Sequence, residues 1–205
     1  KYGYLQVLIL AFDTATNVAT VALVRDGEVL GERASRAVRV LQDVEEVLAE
    51  AGLESGDIGG IAVGTGPGSY TGLRMGLVTA RTLAISLGVP VAGVSTLDAL
   101  AAGAPSAVPV VDARRQEVFT LQGGAPACLT ATSLVVERGR AYVGDGAVRY
   151  REQIAAAGGT VPPDEAAQHV PWARHHAALA RDFGAADEAQ PIYLRVPDAE
   201  KAIGR

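Results

Sequence analysis

Asp13, Asp112 and Asp145 are the carboxylates whose positions could carry chemistry. Asp13 and Asp112 each close an apolar run, so each stands where a strand ends. A carboxylate there can hold a metal–nucleotide complex, steer a water, or only cap a turn. Asp145 lies in Gly144-Asp145-Gly146, which reads more naturally as a turn. The second candidate is the stretch Gly64–Arg74, GTGPGSYTGLR. Gly64, Gly66 and Gly68 permit a positive φ or close backbone approach, and Pro67 restrains its neighbour. Ser69 or Thr71 can cap a following helix, and amides exposed there can hold a phosphate or carboxylate. The same amides can be met by those hydroxyls with no ligand. No Lys follows as in a Walker loop, and the spacing is not a dinucleotide fingerprint.

Other chemistries lack their parts. Ser69 is outside the GxSxG spacing of a hydrolase elbow. The histidines are His169, His175 and His176, all late, so a general base for Ser69 would have to fold back from a distance. No HExxH or HxxxH pair offers a zinc site. Cys128 is the only cysteine, so no internal disulfide or thiolate cluster forms. A net charge of -5 argues against unaided nucleic-acid binding through a basic surface. The apolar run Leu5–Phe12 is too short to span a membrane. Lys1 is not an initiator methionine, so a fragment, processed end or tag residue is expected there, with no secretory signal.

The elements that must position these residues follow from periodicity. Tyr4–Phe12, Val18–Val24 and Glu28–Ala34 read as three strands, the last two joined by the hairpin signal Asp26-Gly27. Leu41–Ala51 reads as a helix with Leu41, Val44, Val47 and Leu48 on one face. The strand Ile58–Val63, the glycine loop and a long helix ending at Leu87 come next, followed by a strand Val89–Val94 and a short helix Thr96–Ala102. Gly103–Pro109 is the best domain boundary, which divides the chain into 1–104 and 105–205. Beyond it the opening returns: strand, Asp112, polar turn, strand Glu117–Leu121. The repeat predicts duplicated α/β lobes. In the second lobe Cys128–Leu134 is ambiguous, Arg140–Val143 a short strand, and Val148–Ala157 and Trp172–Phe183 helical. Pro191–Leu194 reads as extended and Arg195–Arg205 as a polar tail.

The long helix has more apolar residues than one buried stripe needs. Leu77, Ala80, Ala84 and Leu87 form one line; Val78 and Ile85 form another, beside Arg74 and Arg81. An interface suits a rim arginine better than a core does, which places Val78, Arg81 and Ile85 outward.

Five segments carry a family resemblance: AFDTAT at Ala11–Thr16, GTGPGSYTGLRMGL at Gly64–Leu77, GVPVAGVSTLDALA at Gly88–Ala101, VDARRQEVF at Val111–Phe119 and PIYLRVPDA at Pro191–Ala199. Together, in order, they resemble the bacterial TsaB (YeaZ) family of tRNA threonylcarbamoyladenosine biosynthesis proteins. The resemblance implies an α/β, actin-like ATPase fold of two RNase H-like lobes, with mixed sheets and flanking helices. It also implies a non-catalytic role as activator of TsaD, the subunit that modifies adenosine 37 of tRNAs reading codons that begin with A. TsaD carries a metal-binding histidine pair; here no histidine lies in the first lobe. The implied partners are a TsaD-like subunit, a TsaE-like ATPase and a second copy of the chain, with tRNA met only indirectly, no membrane, and a cytoplasmic setting. The expected docking residues are Leu41, Val44, Leu48, Arg74, Val78, Arg81 and Ile85. Asp13, Gly66, Gly68, Ser69 and Asp112 are the expected remnant of a nucleotide or phosphate site. No cofactor is expected in isolation, and ATP with magnesium only in the partner complex. The alternative function is an ATPase or small-molecule kinase of the same fold, with Asp13 and Asp112 around Mg–ATP. The family has a longer approach to the first helix, with a pattern like HSERLLP; Ser35–Leu41, SRAVRVL, is several residues short, which points to a gap near Ala37–Val40 or a truncated helix.

Overall fold

A computed structural model describes residues 7–195. Strand β1 (Leu8–Asp13) is central in its sheet and buried almost throughout, as a continuous apolar run requires. It pairs antiparallel with β2 (Ala19–Arg25), and β2 pairs with β3 (Glu28–Ser35). The polar β3 is the edge strand, where charged side chains discourage further pairing. On the other side of β1 lie β4 (Ile58–Gly64) and β5 (Val91–Val94), both parallel, for the order β3-β2-β1-β4-β5.

Period-two alternation sorts the two faces of this sheet. Leu8, Leu10 and Phe12 point to one face, under helices α1 (Val40–Ala51) and α2 (Tyr70–Leu87). Ala11, Ala22, Ala62 and Ala92 point to the other, where their small size lets a helix approach closely. Helix α1 begins directly after a 3₁₀ turn at Ala37–Arg39, so the shortened approach is spanned by one tight turn and the helix keeps all twelve residues. Gly52 and Gly88 end α1 and α2 in left-handed conformation.

After α3 (Thr96–Gly103) the pattern repeats. Strands β6 (Val108–Arg114), β7 (Glu117–Gln122) and β8 (Ala125–Thr130) form an antiparallel meander, and the short β9 (Tyr142–Val143) runs parallel beside β6. β6 and β9 thus stand to each other as β1 and β4 do, which makes the two sheets copies of one RNase H-like plan. Gly144-Asp145-Gly146 does not remain a turn: Asp145 begins α4 (Asp145–Arg149), and α5 (Arg151–Ala156) follows. The single helix expected at Val148–Ala157 is therefore two. The ambiguous Cys128–Leu134 is the end of β8 and a 3₁₀ turn.

The strands on either side of 104/105 belong to different sheets, and the C-terminal segment returns to the first sheet. Helix α6 (Ala173–Leu179), shorter than the expected Trp172–Phe183, packs on the alanine face of the first sheet with Ala173 and Ala180. The chain then bridges Val91 to Gly184, and the Ile192 amide donates to the Thr65 carbonyl at 2.8 Å. An alanine face left open to water explains this return. It leaves apolar area to cover, and the second lobe's tail covers it. Residues 4–6 of the first expected strand and the tail beyond Arg195 lie outside the described residues. Among those described, no helix is long and apolar enough to cross a membrane.

Candidate functional site

The glycine loop is built around the turn that follows Asp13. A Cβ on Gly64 would sit less than 3.0 Å from the Asp13 carboxyl; on Gly68, from the Ala15 carbonyl; on Gly72, from the Thr14 carbonyl; on Gly76, from Thr14 Oγ1. The spacing of four keeps Gly68, Gly72 and Gly76 on one line as the chain enters α2, so the helix start can press against backbone. Two bonds lock the contact: Ser69 N–H donates to the Ala15 carbonyl at 2.7 Å, and Thr14 Oγ1 donates to the Gly72 carbonyl at 2.7 Å. Ser69 is the N-cap, its Oγ accepting from the Gly72 amide at 3.4 Å. Gly66 alone of the loop glycines has a positive φ, 88°. Its Cα faces Leu73, and its carbonyl accepts from the Thr96 amide.

Asp13 is fully buried, and all its oxygens are spoken for. Oδ1 accepts from the Ala15 amide at 2.6 Å; Oδ2 accepts from Thr96 Oγ1 at 2.7 Å and lies 2.8 Å from His176 Nε2. Asp13 shares the parity of Ala11 and so projects toward α6, whose His176 is equally buried. Burial alone would raise the Asp13 carboxyl. The His176 charge, and hydrogen bonds from His176, Thr96 and Ala15, outweigh it and hold the carboxyl below its ordinary value. The His176 contact is close but imperfectly aligned, since Nε2 meets no acceptor in good hydrogen-bond geometry. A distant histidine thus does fold back, to Asp13 and not to Ser69. Nothing in the spacing of His176 signals this.

Between the lobes is a cleft of about 570 Å³. Its walls come from the turn after β1 (Ala15–Asn17), the start of α2 (Gly68–Thr71), the turn after β6 (Asp112–Arg115) and the strap Ile192–Arg195. Asp112 lies there with its Oδ2 between Arg114 Nη1 at 3.2 Å and Arg149 Nη1 at 3.3 Å, while its amide donates to Asp145 Oδ1. Burial pushes the Asp145 carboxyl up. Arg114 reaches the other lobe through Asn17 Oδ1 at 2.8 Å.

The five residues expected to form a remnant nucleotide site are therefore split. Gly68, Ser69 and Asp112 line the cleft; Asp13 and Gly66 do not. A magnesium–nucleotide complex does not fit this set, because Asp13 is sealed by His176 and Thr96 and Asp112 is already bracketed by two guanidiniums. Among the described residues no cluster of three histidine, cysteine or acidic side chains could hold a metal ion.

The expected docking residues are likewise sorted by burial. Val78 is 60% exposed, Ile85 76% and Leu41 51%, with Arg74 exposed over the Tyr70 ring at 5.1 Å. Val38, 78% exposed, stands on the 3₁₀ turn that touches α2. Two expectations are corrected: Val44 and Leu48 belong to the buried core beneath α1 and present no surface. A third is changed in kind. Arg81 is half-buried and donates from Nη2 to the Ala189 carbonyl at 2.7 Å, so it clamps the C-terminal strap onto α2. Leu77, Ala80 and Ala84 face inward, as their line on the helix requires.

Comparison with known proteins is consistent with this architecture. The family model described as TsaD, tRNA N6-adenosine threonylcarbamoyltransferase, matches residues 15–137. The tRNA threonylcarbamoyladenosine biosynthesis protein TsaB of Bacillus subtilis is 32% identical, over 94% of this chain and 96% of its own. The Escherichia coli protein of the same name is 39% identical over 54% of this chain and 52% of its own. Among solved structures, YeaZ from Pseudomonas aeruginosa is 28% identical with a TM-score of 0.74, covering 92% of this chain and 100% of that one.

Proposed function

The chain belongs to the TsaB family of tRNA threonylcarbamoyladenosine biosynthesis proteins, and from that premise we propose that it acts without chemistry of its own, as the subunit that docks on and activates a TsaD-like transferase. The product is N6-threonylcarbamoyladenosine at position 37 of tRNAs reading codons that begin with A. One observation carries the reading: the outer face of α2 presents Met75, Val78 and Ile85 to solvent, continued by Leu41 and Val38. An apolar stripe rimmed by Arg74 has the composition of an interface core with a polar rim. The same face serves a second copy of the chain when the transferase is absent. A TsaE-like ATPase joins the complex, ATP and magnesium bind only there, tRNA is met through the partner, and the setting is the cytoplasm.

The kinase or ATPase reading is disfavoured by Asp13. Its carboxylate is fully buried and covered by Ala15, Thr96 and His176, so it presents no oxygen to a metal–nucleotide complex.

The test mixes the chain with a TsaD-like subunit and a TsaE-like ATPase and reads complex formation and modified tRNA. Ile85→Glu and Val78→Glu place a charge in the stripe at positions that make no contribution to the monomer core. Each is expected to abolish both readouts while circular dichroism stays unchanged. Full complex formation by both folded variants would show that α2 is not the docking face.

A further inference from the structure

We infer that the docking surface does not end at α2: it continues onto the C-terminal strap, where Tyr70 and Tyr193 form an aromatic anchor for the TsaD-like subunit. The inference rests on the docking reading above and adds to the contact a second element, remote in sequence.

Helical geometry carries the surface along α2. Tyr70 is the first residue of the helix, and Arg74 follows one turn later with its guanidinium 5.1 Å from the centre of the Tyr70 ring. Val78 and Ile85 continue the same exposed side. At its start this side meets the strap: the Tyr70 and Tyr193 rings lie 5.5 Å apart, inclined by 33°. Tyr193, Tyr70, Arg74, Val78 and Ile85 therefore form one surface drawn from two segments of the chain.

The strap turns Tyr193 outward by its own alternation. The Ile192 amide is tied to the Thr65 carbonyl at 2.8 Å, and Leu194 packs with the core of the second lobe. In extended chain the side chain between two covered ones projects the other way. Tyr193 is 46% exposed, and so is Tyr70. The strap does not need the ring contact to stay in place, because the Arg81 clamp on Ala189, the Thr65 bond and Leu194 already hold it. Two large rings are left half in water on a backbone fixed from both sides. Rings held this way lose little freedom on association, and tyrosine and arginine are enriched in interface cores and among their hot spots.

Charge and fold select the occupant. Helix α2 carries Arg74 and Arg81 and no carboxylate, so two copies laid α2 to α2 bring like charges together. A partner with a carboxylate opposite Arg74 completes the surface instead. The TsaD family model spans α1 and α2 of this chain, so a TsaD-like subunit carries helices of the same plan to lay along them.

The test measures binding of the TsaD-like subunit to the full chain by calorimetry, for the wild type, Ile85→Glu, Tyr193→Ala and Tyr193→Phe. Tyr193→Ala should weaken the complex by about tenfold or more, as truncation of an interface hot spot does. Tyr193→Phe keeps the ring and should bind close to wild type. Hydroxyl-radical footprinting of the wild-type complex needs no variant: labelling of Tyr70 and Tyr193 should fall, and that of Tyr150, between α4 and α5 on the second lobe, should not. Lost binding in Ile85→Glu with wild-type affinity in Tyr193→Ala would overturn the strap contact and leave docking on α2 standing. Wild-type affinity in Ile85→Glu would overturn both. Undiminished labelling of Tyr193 in the complex, or a Tyr193→Ala defect confined to self-association, would overturn the inference as well.

Discussion

Asp13 and His176 meet in the interior across 163 positions of sequence, Nε2 lying 2.8 Å from Oδ2, and the contact can be read from either partner. Removing one member strands the other charge in the interior. His176→Ala should therefore cost about 3–5 kcal/mol, the range for breaking a buried pair. The pair also sets a pH dependence. Asp13 titrates lower in the folded protein than its ordinary 3.8. Its contribution is complete above that value and is lost as the pH falls below it, because the unfolded chain then binds the proton more readily. Urea midpoints measured from pH 7 down to pH 3 should fall for the wild type at the acid end, and fall less for Asp13→Asn. Equal acid slopes for the two proteins would remove Asp13 from this account.

At the scale of elements, α2 is shaped on both sides by what it must approach. Its inner start carries glycine at 68, 72 and 76 because the turn after β1 leaves no room for a Cβ. Replacing an interior helix glycine by alanine ordinarily stabilises by about 1 kcal/mol. Gly72→Ala should do the opposite and cost about 1–3 kcal/mol, since the added methyl meets the Thr14 carbonyl backbone. The sign of the shift in a denaturant titration decides between the two. Gly68→Val should damage folding for the same reason, close approach to Ala15, and not through an unusual φ, which Gly68 does not have. The outer side of α2 is free of such constraint, and there Val78 and Ile85 are exposed.

In the whole molecule the lobes are joined twice: by the connection through α3, and by the returning C-terminal segment. That segment places α6 on the first sheet, then runs as a strap through Ala189 and past Thr65 to the cleft, where Leu194 packs with the core of the second lobe. Arg81 is its clamp. Arg81→Ala should free the Ala189 carbonyl, lower stability by about 1.5–3 kcal/mol, the worth of a hydrogen bond to a charged group, and raise amide exchange at Ile192 and Gly184 before elsewhere. Unchanged protection at those two amides would show that the strap is held without Arg81. Charge reversal at Arg81 consequently disturbs the strap as well as any partner, so Val78 and Ile85 are the cleaner probes of docking.

The sequence by itself determined most of the first lobe's elements, the repeat of strand, aspartate, turn and strand, and the family; in the second lobe it merged α4 with α5 and overran α6. These are local properties: apolar periodicity, glycine and proline punctuation, and motif spacing are written along the chain. The two lines of α2 were also legible, because helical geometry alone separates Leu77, Ala80 and Ala84 from Val78 and Ile85. Only the tertiary structure decided which aspartate is sealed and which faces the cleft. Asp13 and Asp112 look alike in sequence, each at the end of an apolar run. What distinguishes them is which helix covers the face they point to, and α6 comes from the far end of the chain. The partner of Arg81, the burial of Val44 and Leu48, and the meeting of Tyr70 with Tyr193 have the same origin. Each depends on contacts between residues remote in sequence, whose placement is set by the area left uncovered once the sheets have formed.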